Sequence, residues 1–213
     1  MIKNIKKKLK SKLPGIDSWD RMAVKPTNDK NIINNKIFKY EKNLSENKIS
    51  EMKKAAVLVC FFKKKGEYYL PLIRRPMHEK NHPGQIALPG GAMEENETLE
   101  RTALREAFEE VGIIPDNVEI LGKMTPLPVP VSKYVITPFI GITNNEPKWN
   151  INEKEVDELI ILKFKDLIDS NNGYYEDWNL NGSMLRVPIF KIINKKIWGA
   201  TAAVLSELID LSA

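Results

Sequence analysis

The chain has 213 residues, a net charge of +5 and a single cysteine. This length suffices for one domain with a sizeable core, or for one domain plus an arm. A lone cysteine cannot form an intrachain disulfide, and no apolar run approaches the roughly 18 residues of a membrane-spanning helix. The lysines at the N-terminus are not followed by the apolar stretch and cleavage site of a secretory signal. We therefore expect a cytoplasmic protein without a membrane span.

The basic excess is concentrated near the N-terminus. Residues 1–50 carry 13 basic and 5 acidic residues, so their net charge is +8 and that of the remainder is −3. We predict a basic N-terminal arm of helical character over residues 1–50 and a main domain over residues 51–213. Such an arm can attract nucleic acid or anionic lipid. However, the lysine and asparagine bias runs through the whole chain and no basic stripe is interleaved with aromatic residues, so we do not expect nucleic acid as a partner.

Short apolar runs separated by turn residues predict several strands. The first two, residues 54–62 and 68–73, flank a charged turn. Cys60 lies within the first, and we interpret it as a packing residue rather than a nucleophile. Further strands are predicted at residues 118–122, 134–141, 159–164, 184–190 and 192–193, and helices at residues 97–111, from residue 167 and at 201–211. Strands on both sides of a central helix, with a second helix at the end, predict an α+β fold with a mixed sheet between helices.

The central helix is predicted from its caps and its apolar face. Asn96 or Thr98 can cap its start, and Gly112 can end it in the left-handed conformation. Apolar residues recur every four positions along one face: Leu99, Ala103, Ala107 and Val111.

Three glutamates crowd the C-terminal half of this helix. Glu106 is four residues from Glu110 and three from Glu109, so the three side chains point to roughly one side. Like charges at this spacing cost about 0.2–0.5 kcal/mol a pair, and the helix dipole disfavours acids at this end. A divalent cation would remove both penalties, because Mg²⁺ prefers oxygen ligands. The alternative, a solvated acidic face, is disfavoured by the preceding Gly90-Gly91 pair, which lets the backbone approach a ligand closely.

A longer pattern surrounds these glutamates. Gly91, Glu97 and the run Arg105-Glu106-Ala107-Phe108-Glu109-Glu110-Val111-Gly112-Ile113 match every fixed position of the Nudix box, G-x5-E-x7-R-E-U-x-E-E-x-G-U, where U is apolar. The chain thus resembles the Nudix hydrolase family. The resemblance implies an α/β/α sandwich with a mixed β-sheet, a loop–helix–loop metal site for Mg²⁺ or Mn²⁺, and hydrolysis of a diphosphate bond in a nucleoside diphosphate derivative.

The resemblance also implies roles for individual residues. It places the metal ligands on the helix and on the loop before it: Glu106 and Glu110 as main ligands, Glu109 sharing a metal or holding its water, and the Gly90 carbonyl as a backbone ligand. Glu97 and Arg105 would orient the site.

Hydrolysis further requires a base for the attacking water. Glu106 is one candidate. In related enzymes a glutamate from a loop beyond the box often serves, and Glu155 or Glu158 in the acidic segment 153–158 fits that place. The alternative for this segment is an exposed charged loop.

The flanks of the box are similar to those of the coenzyme A pyrophosphatase branch of the family. The similarity covers roughly residues 54–205 and is carried by the segments 72–91, 125–138 and 197–202. Six residues match the upstream signature of that branch: Leu72, Arg75, Gly84, Pro89, Gly90 and Gly91. Five depart from it: Pro71, Ile73, Pro76, Lys80 and Leu88. The resemblance implies coenzyme A or acyl-coenzyme A as substrate, with ADP-ribose, NADH or another nucleoside diphosphate derivative as the alternative.

Basic residues beside the metal loop are candidate substrate contacts. Arg74, Arg75 and Lys80 can neutralise phosphate groups, with Gly91 beside them. Solvated loop charge is the alternative for each cation. Trp198, near the C-terminus, is interpreted as a core residue rather than a platform for a base.

The carboxylates of the box also bear on whether the domain is catalytically active. A catalytically inactive Nudix-like domain that binds nucleotide is the contrasting class, and it is disfavoured because every carboxylate of the box is present. The sequence leaves the oligomeric state open, a homodimer included.

Overall fold

The computed structural model describes residues 1–27, 46–79, 82–169, 174–180 and 182–213. Six α-helices lie within these ranges: α1 (Ile2–Lys8), α2 (Ile16–Trp19), α3 (Glu46–Ser50), α4 (Leu99–Val111), α5 (Phe164–Asp169) and α6 (Gly199–Ser212). Twelve strands accompany them: β1 (Lys25–Pro26), β2 (Lys53–Lys64), β3 (Glu67–Arg74), β4 (Ile86–Ala87), β5 (Gly90–Ala92), β6 (Val118–Lys123), β7 (Leu127–Val129), β8 (Tyr134–Thr143), β9 (Glu158–Lys163), β10 (Tyr174–Leu180), β11 (Ser183–Ile192) and β12 (Lys195–Ile197).

These strands form two sheets. The larger has the order β4-β3-β2-β8-β6, and β5, β7 and β9 pair with β2, β8 and β3 respectively. It is mixed, because β2 runs parallel to β8 along residues 53–61 and antiparallel to β3 and β5. The smaller sheet has the order β1-β11-β10, with β12 paired to β11.

Helices cover both faces of the larger sheet. Val59 and Phe61 of β2 belong to the same core cluster as the buried face of α6, whereas Leu58 and Cys60 pack with Ala107 of α4. Successive side chains of a strand point to opposite faces, so a strand buried on both sides reads as one continuous apolar run. The structure therefore confirms the α/β/α sandwich.

Cys60 has the packing role predicted for it. Its side chain is fully buried on the α4 side of β2. Burial raises the pKa of its thiol to about 12. The unreactive neutral thiol is therefore the dominant form at neutral pH.

The N-terminal residues pack against α6. Ile5 and Trp19 lie in the same core cluster as that helix. Buried Glu207 of α6 accepts hydrogen bonds from the Gly15 N–H (3.2 Å), the Trp19 indole (3.3 Å) and the Thr125 hydroxyl (2.5 Å). Residues 1–27 thus share a core with the sheet. The division of the chain at residue 50 stays a prediction.

Some elements differ from those predicted. The helix α4 starts at Leu99, because Thr98 is its N-cap and accepts a hydrogen bond from the Arg101 N–H (3.3 Å). The helix α5 begins at residue 164 rather than 167, and β11 is one strand where two were predicted. The strand β10 was not predicted, because its sequence lacks an apolar run. It forms because it pairs with β11 along its whole length.

Candidate active site

The loop before α4 is fixed to the centre of the larger sheet. Gly90 and Gly91 lie in β5, which pairs with residues 55–57 of β2. A Cβ at Gly90 would overlap the backbone of Val57, and a Cβ at Gly91 would overlap the carboxyl group of Glu106. The glycine pair therefore brings this backbone into direct contact with the glutamates of the helix.

Three carboxylates converge beside this loop. One oxygen from each of Glu106, Glu110 and Glu155 lies within 4.8 Å of the other two. Glu110 is only 4% exposed, and its Oε2 accepts a hydrogen bond of 2.9 Å from the Gly90 N–H. Burial raises the pKa of Glu110 to about 8 and also raises the pKa of Glu106. Crowded, desolvated carboxylates favour a neutralising partner, either a proton or a cation.

The chemistry of this donor set suits a hard divalent cation. All three groups offer oxygen, and Mg²⁺ and Mn²⁺ are bound through carboxylates together with water and substrate phosphates. A cation between Glu106 and Glu110 would favour their ionised forms and offset the cost of burying them. The residues present therefore fit the ion implied by the Nudix box.

Glu155 reaches the cluster because the segment before it is docked on the C-terminus of α4. The Asn150 N–H donates to the carbonyl of Val111 (3.1 Å), and the Asn152 N–H donates to the carbonyl of Glu110 (3.0 Å). These bonds satisfy two of the carbonyls that a helix leaves unpaired at its end. The Glu155 N–H then donates to the carbonyl of Asn152 (3.0 Å), which turns the chain toward the other carboxylates.

Gly112 permits this docking. It ends α4 in the left-handed conformation with φ of 79°, as predicted, and its N–H donates to the Phe108 carbonyl at 2.9 Å. A Cβ at Gly112 would lie 2.8 Å from both the backbone nitrogen and the Cβ of Asn150. Glycine is therefore required here twice, for its φ and for the close approach of the next segment.

Arg105 connects three acidic side chains. Its Nε and Nη2 donate to the two carboxylate oxygens of Glu97 (3.0 and 3.1 Å), and its Nη1 donates to Glu106 Oε1 and Glu109 Oε2 (both 2.9 Å). This guanidinium lowers the pKa of Glu97 to about 2, and its carboxylate partners raise the pKa of Arg105. The Thr102 hydroxyl, buried in α4, also donates to Glu97 (2.8 Å). Arg105 is thus held rigidly and fixes Glu106 from one side.

Glu109 stands apart from the other two box glutamates. Its side chain is 47% exposed and is hydrogen-bonded to Arg105. It does not belong to the group formed by Glu106, Glu110 and Glu155. Its metal-binding role stays a prediction, as does that of the Gly90 carbonyl.

The two candidate bases beyond the box have different surroundings. Glu155 is exposed and joins the carboxylate cluster. Glu158 instead accepts hydrogen bonds from Lys195 (2.7 and 2.6 Å) and forms an ion pair with Arg74 (3.4 Å). Of these two residues, Glu155 is therefore the one that lies with Glu106 and Glu110.

Two of the predicted substrate cations, Arg74 and Arg75, take part in ion pairs. Arg74 forms an ion pair with Asp157 (2.7 Å), and Arg75 forms one with Glu79. The charge of Arg75 acts to lower the pKa of Glu110, which places this guanidinium near the cluster. Lys80 lies outside the described residues.

Sequence reasoning missed a cavity of about 360 Å³ that is lined in part by Arg74, Gln85, Asn194, Lys195, Lys196 and Trp198. Lys195 and Lys196 lie in β12, far along the chain from the box. Because the chain is rich in lysine, no sequence pattern distinguishes these two as binding residues. Trp198 is only half-buried: it packs on the small core of β11 and also lines the cavity. The docking residues Asn150 and Asn152 were missed as well, because they act through their backbone.

Comparison with known proteins agrees with this geometry. The NUDIX domain family matches residues 52–180. NudL of Pectobacterium atrosepticum, an uncharacterized Nudix hydrolase, is 34% identical over 161 residues, which cover 75% of this chain and 83% of NudL. NudL of Yersinia enterocolitica is 35% identical over 158 residues, with coverage of 72% and 78%. The crystal structure of RenU, a Nudix hydrolase from M. smegmatis, shares the fold with a TM-score of 0.55 at 19% identity, over 76% of this chain and 86% of RenU.

The fold and the complete box thus define a hydrolase of the α/β/α class. The chain belongs to the Nudix family and is a hydrolase. None of the helices in the described part of the chain combines the length and apolar character needed to cross a bilayer.

Proposed function

We propose that this protein hydrolyses the diphosphate bond of coenzyme A or acyl-coenzyme A, with Mg²⁺ or Mn²⁺, to 3′,5′-ADP and 4′-phosphopantetheine. The observation that carries the hydrolytic chemistry is the convergence of Glu106, Glu110 and Glu155 within 4.8 Å. The coenzyme A substrate is supported by the signature in residues 72–91 and by Arg75, whose positive charge acts on Glu110 of the cluster.

Glu106 and Glu110 would hold the cation, and each is positioned before it arrives. Glu106 is bonded to Arg105 (2.9 Å) and Glu110 to the Gly90 N–H (2.9 Å). When bound, the cation would neutralise charge on the diphosphate oxygens. Because the protein fixes both carboxylates, little reorganisation is needed during the reaction.

Glu155 is proposed as the general base. It is the exposed member of the cluster, so it can accept the proton of an attacking water and release it to solvent. Glu106 is less suited, because it is assigned to the cation and its Oε1 already accepts a hydrogen bond from Arg105 (2.9 Å).

Arg75 is proposed to bind a phosphate oxygen. Its guanidinium lies near Glu110 and forms an ion pair with Glu79. A phosphate can replace that carboxylate, because guanidinium binds both in the same bidentate manner.

The test is mass spectrometry of the products from a substrate panel with Mg²⁺ or Mn²⁺. The panel contains coenzyme A, acyl-coenzyme A, ADP-ribose, NADH and a dinucleoside polyphosphate. We expect 3′,5′-ADP and a 4′-phosphopantetheine product, with the highest kcat/KM for coenzyme A or its acyl form. A higher kcat/KM for ADP-ribose or NADH would replace the proposed substrate but keep the diphosphate chemistry. Binding without turnover of any compound would instead indicate an inactive nucleotide-binding domain.

A further inference from the structure

The cavity lined by Arg74, Lys195, Lys196 and Trp198 has a polar, cationic wall. Three of its lining residues are cations, and none of the described residues that line it is acidic. Gln85 adds a side-chain amide. At about 360 Å³ the cavity is large enough for an anionic group together with the sugar that carries it.

The cations of the cavity are held in place by carboxylates that do not line it. Lys195 donates to Glu158 (2.6 Å), and Lys196 donates to Glu176 (2.8 Å). Arg74 also shares Glu158 (3.4 Å). Since these pairs are partly exposed, they contribute little energy but restrict where the cationic groups can go. An incoming phosphate dianion can therefore bind these cationic groups.

The aromatic wall of the cavity is fixed too. The Trp198 ring packs edge-on against the Trp178 ring, with centroids 5.0 Å apart. Trp198 is also the N-cap residue of the 14-residue helix α6, so the positive end of the helix dipole adjoins the cavity.

The cavity is joined to the carboxylate cluster through β3 and the Glu155 segment. The Asp157 N–H donates to the Arg74 carbonyl (2.9 Å), and Asp157 follows Glu155 by two residues. Arg75, the residue that follows the end of β3, lies near Glu110. The cavity and the cluster are therefore connected by consecutive residues at the end of β3.

We propose that this cavity binds a phosphomonoester group of the substrate, separate from the diphosphate that is cleaved. The inference rests on the proposed function, in which the substrate is a nucleoside diphosphate derivative. It adds Lys195, Lys196 and Trp198 as specificity-determining residues. A phosphomonoester fits because its dianion presents several acceptor oxygens to three cations on two separate elements, β3 and β12.

The test compares two substrates that differ only in this group, coenzyme A and 3′-dephospho-coenzyme A. Lys195→Gln and Lys196→Gln are each expected to raise KM for coenzyme A about tenfold, the loss of one charge-assisted hydrogen bond, with kcat changed less than about twofold. Values for 3′-dephospho-coenzyme A should not change. Lys64→Gln is the matched control, because Lys64 forms a similar half-exposed ion pair with Glu146 (3.0 Å) and does not line the cavity. This variant should leave kcat and KM unchanged for both substrates.

Several results would overturn the inference. If the variants change KM equally for both substrates, or change it for neither, the phosphomonoester site is refuted. The proposed function is unaffected by either result. If the wild-type protein hydrolyses neither compound, the proposed substrate is wrong. Calorimetry of nucleotide binding then tests whether the cavity binds a phosphomonoester. In that measurement 3′,5′-ADP should bind the wild-type protein about tenfold more tightly than 5′-AMP, and Lys195→Gln should abolish the difference. Equal binding of the two nucleotides by the wild-type protein would refute the site.

Discussion

The backbone N–H of Asn152 donates a hydrogen bond of 3.0 Å to the carbonyl oxygen of Glu110. Glu110 contributes its side chain to the carboxylate cluster and its carbonyl to the segment that carries Glu155. The position of the third carboxylate therefore depends on the end of the helix that supplies the first two. Anything that moves the segment away from α4 should lower activity without touching the Nudix box glutamates.

Gly112→Ala tests this dependence. The new Cβ would lie 2.8 Å from Asn150 and would also be strained by φ of 79°, so we expect a stability loss of about 2 kcal/mol and a drop in kcat of at least about tenfold. Gly182→Ala is the control, because Gly182 has φ of 82° but a Cβ there would meet nothing within 4 Å. It should cost about 1 kcal/mol with kcat unchanged. Urea denaturation and steady-state kinetics measure both; equal kcat values for the two variants would contradict the docking role.

Glu110→Gln and Glu109→Gln should differ in how strongly they weaken metal binding. Mg²⁺ should raise the Tm of the wild-type protein by mass action, and this shift should vanish in Glu110→Gln together with a kcat loss of about 100- to 1000-fold. Glu109→Gln should reduce the shift less than Glu110→Gln does, because Glu109 is half-exposed and bonded to Arg105. Glu100→Gln, an exposed site on the same helix, serves as the control. A retained Mg²⁺ shift in Glu110→Gln would argue against this residue as a ligand.

Glu97 should make stability depend on pH in the acid range. Arg105 holds the pKa of Glu97 at about 2 in the folded protein, against an ordinary value of 4.5. The unfolded chain therefore takes up the proton first as pH falls, so the stabilisation is complete above 4.5 and is lost between 4.5 and 2. We expect the free energy of unfolding of the wild-type protein to exceed that of Glu97→Gln by about 2 kcal/mol at pH 7 and by much less at pH 3. Urea denaturation at the two pH values measures this difference. A difference independent of pH would exclude this ion pair as its cause.

Glu207→Ala should loosen the contact between the N-terminal residues and α6. Buried donors of Gly15, Trp19 and Thr125 would lose their acceptor, at a cost of about 3 kcal/mol. Glu119→Ala breaks another link to the N-terminal residues, the exposed ion pair with Lys6 (2.7 Å), and should cost less than about 1 kcal/mol. Thermal and urea unfolding of both variants provide the comparison. Similar small losses would mean that the buried network does not secure this contact.

Local patterns were sufficient to predict the helix that carries the candidate site. The helix α4 was predicted to within two residues because its start, its glycine end and its apolar face are all encoded in adjacent residues. The buried strand β2 was recognisable for the same reason. The box spacing then placed Glu106 and Glu110 on one helical face, and the structure brings their carboxylates together.

Contacts between distant parts of the chain were not predictable. The Trp19 indole and Glu207 are 188 residues apart, and the Lys195–Glu158 pair spans 37 residues. No local periodicity identifies such partners, because each side chain alone reads as an ordinary polar residue. The choice between Glu155 and Glu158 depends on the same kind of contact, since backbone bonds turn one toward the cluster and ion pairs hold the other away.

Gly91 lies directly against the carboxyl group of Glu106, and the Gly90 backbone N–H donates a hydrogen bond of 2.9 Å to Glu110 Oε2. Calcium takes six to eight oxygen ligands at about 2.3–2.6 Å, whereas magnesium takes six at about 2.0–2.1 Å. Glu106 is held by Arg105 and Glu110 by the Gly90 N–H, so neither carboxylate can move far without breaking a hydrogen bond. If Glu106 and Glu110 hold a cation, the spacing of these two anchored carboxylates is expected to influence which divalent ion binds best.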